Sequence, residues 1–150
     1  NYIKDFFIEN TSGFKDAFFE SEKIVLRLCM QSLDDFLDPH VGIRIQDRYG
    51  LIAFETNTFC QGINPRELLG CLNVFEVNIE LSINLGHGDY TLAVGIENEG
   101  MPGGGFKSVI LPTQVVHKFS VNRNPASAQL WAGSTNLDSR FGVKLAVLKN

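Results

Sequence analysis

The chain has 150 residues, a length that fits one domain. A domain of that size buries roughly two-thirds of its unfolded surface, so it needs no metal or disulfide staple. Hydrophobic residues make up 44% and charged residues 20%, the balance of a globular protein rather than a disordered one. A net charge of −4 argues against a nucleic-acid partner, which calls for a clustered positive field. The apolar stretches Ile24–Met30 and Val74–Leu85 are both broken by polar residues, which excludes a membrane-spanning helix. The opening Asn1-Tyr2-Ile3-Lys4 is neither an initiator Met nor a signal peptide, so the chain reads as a domain excised from a longer protein.

Period-2 alternation of apolar and polar residues, the mark of half-buried strands, dominates the chain. The first strand is expected over Tyr2–Glu9, with a turn at Thr11-Ser12-Gly13. Ile24, Leu26, Leu28 and Met30 form the inward row of a second strand, and Gln31–Asp38 a polar loop closed by Pro39. Val41, Ile43 and Ile45 alternate in a third, which turns at Tyr49-Gly50 after Asp47 and returns as Leu51–Thr56. Pro65–Leu69, with Pro early and Gly70 late, fits one short helical turn. Phe75 to Leu85 is the longest strand expected, and Gly86-His87-Gly88-Asp89 turns the chain into Tyr90–Ile96. Asn98–Gly105, rich in glycine, is expected as a loop. Lys107–Leu111, Val115–Val121, Gln129–Ala132 and a last strand from Phe141 to Val147 follow. About seven to nine short strands joined by Gly, Pro and Asn turns imply an all-β fold, an immunoglobulin-like or jelly-roll sandwich of two antiparallel sheets.

Motifs that would carry catalysis are missing. His40, His87 and His117 are not placed beside a Ser or Cys by any motif, and no GxSxG elbow is present. Asp34-Asp35 would supply half of a glycosidase carboxylate pair, but adjacent loop acids more often face solvent. Gly103-Gly104-Gly105 lacks the Lys-Ser/Thr of a phosphate loop and reads as a hairpin tip. Asn136 and Asp138 lack the spaced acids of a calcium loop. Cys29, Cys60 and Cys71 are odd in number, with no CxxC spacing and no His at zinc-ligand spacing. They read as reduced thiols of a reducing compartment, with a Cys60–Cys71 bridge as the alternative in an exported domain. No cofactor is expected.

The outward residues of the strands carry more information. Thr91, Ala93 and Gly95 on one strand, Gly42, Arg44 and Gln46 on another, and Lys144 and Ala146 on the last would share one shallow sheet face. Small residues on a wet strand face invite close approach by another molecule. Arg44, Gln46, Thr91 and Lys144 are polar groups that hydrogen-bond hydroxyls, so a sugar fits such a platform. A plain solvated face and a dimer contact are the competing readings. Trp131, the single tryptophan, reads either as a core residue or as a ring that stacks on a sugar.

The segment Val41-Gly42-Ile43-Arg44-Ile45-Gln46-Asp47-Arg48-Tyr49-Gly50, followed by Ile52–Thr58, resembles the C-terminal domain of Wzt-type proteins. These are the ATP-binding subunits of ABC transporters that export O-antigen polysaccharide. Val77–Leu85 with Gly88-Asp89-Tyr90-Thr91-Leu92, and His117–Val121, are similar to further blocks of that family. Glu55 stands where the family pattern has Gly, Thr113–Val116 departs from it, and Asn122–Arg140 matches nothing in it. The resemblance implies a non-catalytic, immunoglobulin-like module. It would recognise lipid-linked O-antigen polysaccharide at the cytoplasmic face of the bacterial inner membrane. Its implied partners are the transporter's ATPase domain and membrane subunit, and a second copy in a homodimer with its last strand exchanged. The chain carries no GxxxxGK[ST] motif, so no ATPase is expected within it. Asp-Arg-x-Gly and Thr-Asn-Thr are expected to shape turns and strand ends, leaving Arg44, Gln46, Thr91, Lys144 and Trp131 as the candidate glycan contacts.

Overall fold

The computed structural model of the protein describes residues 1–127 and 130–146. Eight strands and one short helix follow in the order β1 (Ile3–Asn10), β2 (Ala17–Phe19), β3 (Lys23–Gln31), β4 (Pro39–Asp47), β5 (Ile52–Asn57), α1 (Pro65–Leu69), β6 (Val74–Ser82), β7 (Gly88–Gly100) and β8 (Phe106–Asn122). They build two stacked sheets, one of three strands in the order β1-β3-β6 and one of five in the order β2-β8-β7-β4-β5. This is the all-β sandwich the alternation requires. All pairings are antiparallel except β2 with β8, where Ala17–Phe19 lie parallel to Ser120–Asn122.

The core is the seam between the sheets. Ile24, Leu26, Leu28 and Met30 of β3 face Val41, Ile43 and Ile45 of β4 and Leu92, Val94 and Ile96 of β7, all buried. Each fully buried Leu or Ile contributes roughly 1.5–3 kcal/mol of transfer free energy, so these rows fix the register, since a one-residue slip would turn them to water. Phe18 of β2 closes one end, 5.1 Å from Phe119 between ring centroids. On the outside of the smaller sheet, the Arg27 guanidinium makes paired bonds of 2.7 and 3.0 Å to Glu9 and reaches Glu76 at 3.2 Å. It thereby ties β1, β3 and β6 together.

Short-range chemistry places the turns. Asp47 Oδ1 accepts from the N–H groups of Tyr49 and Leu51, and Gly50 takes a φ of 82°, which closes the β4–β5 hairpin. Asn64 caps α1 by accepting from Glu67 N, with Pro65 at the first helical position and Gly70 ending the turn.

Five sequence expectations change. β2 is an added strand, made of Ala17-Phe18-Phe19, too short to show a period. β7 runs on to Gly100, so the expected Asn98–Gly105 loop shrinks to a tight turn. Lys107–Leu111 and Val115–Val121 are one strand, β8, which carries Pro112 across bulges where its register against β7 shifts. The described part of Gln129–Ala132, residues 130–132, is not a strand, and neither are residues 141–146 of the expected last strand. Ala128, Gln129 and Val147 lie outside the described residues. β8, not a C-terminal strand, is therefore the neighbour of β7 on the side away from β4.

Tyr90 is buried and its hydroxyl donates to Gly86 O at 2.7 Å, pinning the turn into β7. Tyr90→Phe leaves that carbonyl without its partner and should cost about 1–3 kcal/mol, read from urea unfolding. A variant as stable as wild type would show that the bond contributes nothing.

Candidate functional site

The outer face of the five-stranded sheet carries an open groove of ≈ 420 Å³. Its floor is Gly42 and Gly95, which face each other across β4 and β7. A Cβ on Gly95 would lie 2.7 Å from Thr113 Oγ1, and one on Gly42 would lie 3.1 Å from Asn57 Cβ. Glycine at both positions lets β5 and the bulged part of β8 close in on either side, and it keeps the floor low. Arg44 and Glu55 stand at one end, joined by an Nε–Oε2 bond of 2.8 Å. Glu97 follows Gly95 on the same face, opposite His40 in register. Phe106, the first residue of β8, supplies an aromatic wall, with its ring centroid 5.8 Å from that of Phe59 and 5.9 Å from His40.

The wall is held from beneath by a buried polar cluster. His40 is 2% exposed, its Nδ1 2.8 Å from Thr58 Oγ1 and its Nε2 3.0 Å from Asp38 Oδ1. The Nε2–Asp38 approach is close but poorly angled, and Nε2 makes no hydrogen bond; we read it as an electrostatic contact only. Thr58 Oγ1 also accepts from Val41 N, and Asp38 Oδ1 accepts from Asn64. Asn57 Oδ1 accepts from Cys60 N at 2.7 Å. The Thr-Asn-Thr segment is therefore a strand-end device, and His40 a structural histidine rather than a free base.

The residues singled out from the sequence are scattered. Arg44 lines the groove. Gln46 and Thr91 share its sheet face, opposite each other in register, but lie outside it. Gln46 Nε2 donates to Gly50 O at 3.0 Å, so the β4–β5 turn engages it. Thr91 lies by a separate shallow depression with Asp47, Arg48 and Lys118. Lys144 belongs to the strandless 141–146 stretch, so the alternation that put it beside Arg44 does not hold. Trp131 is half-buried and lines a separate hollow with Leu130, Asn136 and Phe141, away from the groove. Sequence reasoning missed Glu97 and Phe106, and it gave Asn57 a turn-shaping role only. Glu97 continues the Thr91-Ala93-Gly95 row by two residues and was lost when the strand was ended at Ile96; Phe106 directly follows the glycine run of a hairpin.

Asp34, considered as an acid, has a structural role. Its carboxylate accepts from Leu72 N at 3.0 Å and from Arg66 at 2.7 Å, and Arg66 also bonds the carbonyls of Asp34 and Phe36. All three thiols are free. Among the described residues, no group of His, Cys, Asp and Glu could hold a metal ion. Likewise no helix there is long and apolar enough to cross a membrane.

A second hollow, an apolar trough of ≈ 690 Å³, runs between the free edge of β6 and β5. Phe75, Val77, Ile79 and Leu81, expected to be inward, are only half-buried there, and Phe54, Ile63 and Leu68 are exposed beside them.

The fold is a β-sandwich with an open groove on the outer face of its five-stranded sheet. The family model of the Wzt C-terminal domain matches residues 2–105, and the chain belongs to that family. A solved structure described as the crystal structure of the C-terminal domain of Wzt has the same fold, with a TM-score of 0.69. It is 21% identical, and the match covers 95% of this chain and 83% of that one. No match is found among the curated proteins.

The Leu72 N–H and the Arg66 guanidinium hold the Asp34 carboxyl below the usual carboxylate range. A depressed pKa in the folded state adds stability above the unfolded value of about 4 that is lost as pH falls through the folded one. The stability gap between wild type and Asp34→Asn should therefore be widest near pH 7 and shrink below about pH 4, measured by urea unfolding across that range. A gap independent of pH would refute this role.

Proposed function

We propose that this domain recognises O-antigen polysaccharide, in its lipid-linked form, for export by an ABC transporter, without catalysing any reaction on it. The observation that carries the reading is the outer-sheet groove: a floor of glycine, an aromatic ring on one side, and Arg44, Glu55, Asn57, Glu97 and Thr113 around it. A sugar ring has an apolar C–H face for the ring and hydroxyls for the polar rim. Membership of the Wzt C-terminal domain family supports the transporter setting. In that setting the partners are an ATPase domain and a membrane subunit, at the cytoplasmic face of the bacterial inner membrane. Arg44 and Phe106 are the contacts the groove supports, while Gln46, Thr91, Lys144 and Trp131 play no part in it.

Affinity is modest, because an open groove leaves much of each sugar hydrated. Arg44→Ala and Phe106→Ala should each weaken binding of the cognate polysaccharide about tenfold or more, in line with losing one well-placed contact. Titration calorimetry checks this, with thermal melts to confirm the fold. Gln46→Ala and Trp131→Ala should bind as wild type. If neither groove variant loses affinity, the groove is not the site.

A second property concerns self-association. Phe141, Val143 and Leu145 are 93%, 96% and 95% exposed and alternate with Gly142, Lys144 and Ala146. That is the pattern of a strand with one dry face and no sheet to lie on. The β6 edge beside the apolar trough has the complementary need. The domain pairs with a second copy by laying this segment along the partner's β6 edge, Phe141, Val143 and Leu145 filling the trough. Wild type should run as a dimer and a chain ending at Arg140 as a monomer in light scattering. A monomeric wild type at high concentration would exclude the exchange. The alternative, an interaction module that binds no glycan, draws support from the same trough; retention of purified polysaccharide by the domain in a pull-down separates the two.

A further inference from the structure

We propose that the groove takes uncharged sugars and rejects sugars bearing a carboxylate or phosphate, and that Glu97 sets this choice. The inference rests on the glycan-binding reading of the groove and specifies its ligand class.

The charged side chains lining the groove are Arg44, Glu55 and Glu97, and His40 lines it as well. Arg44, the cation among them, gives its Nε to Glu55 through a 2.8 Å bond, so its charge is partly balanced there. The ring nitrogens of His40 face Thr58 and Asp38, not the groove. The Glu97 side chain makes no hydrogen bond or ion pair with any other described residue. The groove therefore carries a net negative charge, two carboxylates against one guanidinium.

A carboxylate is an acceptor-only group. A neutral sugar offers it pairs of adjacent O–H donors, one for each oxygen, in bonds about twice as strong as neutral ones. An acidic sugar brings a second anion next to the first, and like charges repel. Anion recognition calls for a guanidinium or ammonium aimed at the ligand. Here the one guanidinium shares the groove with two carboxylates, Glu55 and Glu97.

The test uses the full chain and a panel of purified O-polysaccharides, some neutral and some containing uronic acid or phosphate, measured by titration calorimetry. Wild type should bind only neutral members. Glu97→Gln should weaken that binding about tenfold, the loss expected when charge-assisted bonds become neutral ones. Glu97→Lys should abolish it and gain measurable affinity for acidic members. Both variants change one half-buried side chain on the outer sheet face, and thermal melts verify folding. Wild-type binding of an acidic polysaccharide that is lost in Phe106→Ala would overturn the inference while keeping the groove as the glycan site. Undiminished neutral binding by Glu97→Gln would also overturn it. If wild type binds no member of the panel, the glycan reading itself fails and the inference falls with it.

Discussion

The dry seam between a three-stranded and a five-stranded sheet is what the rest of this molecule depends on. Alternating aliphatic residues on β3, β4 and β7 meet there, and their burial is the dominant favourable term in folding. The mismatch in strand number has its own effect. Three strands cannot cover five, so the inner row of β6 is left half-buried and a trough opens beside β5. Edge strands with apolar flanks are usually blunted by charge, proline or a covering segment. β6 has Glu76 and Glu80 on its outer face only, so charge does not protect its inner row.

The same period-2 geometry shapes the outer surface. Once Val41, Ile43 and Ile45 are committed inward, Gly42 and Arg44 must point out, and pairing with β7 brings Gly95 and Glu97 alongside. The groove is thus a by-product of the core pattern, given depth by two glycines and a bulged neighbour. Its walls come from irregular pieces: the 57–63 loop, held through Thr58, and the β7–β8 hairpin, carrying Phe106. A rigid sheet with variable rims is a common way to build a recognition surface, because the rims change without disturbing the core.

What was legible in the sequence follows the range of the forces. Asp47 and Gly50, or Pro65 and Gly70, settle their conformations within a few residues, and the structure keeps them as read. The inward rows were legible because burial imposes a strict period. β8 was not: Pro112 reads as a break, yet bulges let the strand pass it while paired to β7. Lys144 was misplaced for a different reason. Phe141, Val143 and Leu145 do alternate, but alternation says that a strand wants a partner and not where the partner is. Trp131 and Phe106 show the same limit, since which aromatic meets the groove is decided by contacts far along the chain.

The parallel pairing of β2 with β8 joins Ala17 to Ser120 and Phe18 to Val121, nearly the full length of the strand-bearing chain apart. A contact between such distant positions closes a large loop and is slow to form. On the ribosome, Phe18 emerges early and waits for Phe119, its ring uncovered, until almost all of the domain has been synthesised. The order of biogenesis is therefore inverted at this edge: among the first segments made, β2 is among the last to find its place, and nascent chains stalled before β8 would present an aromatic side chain for chaperones to hold.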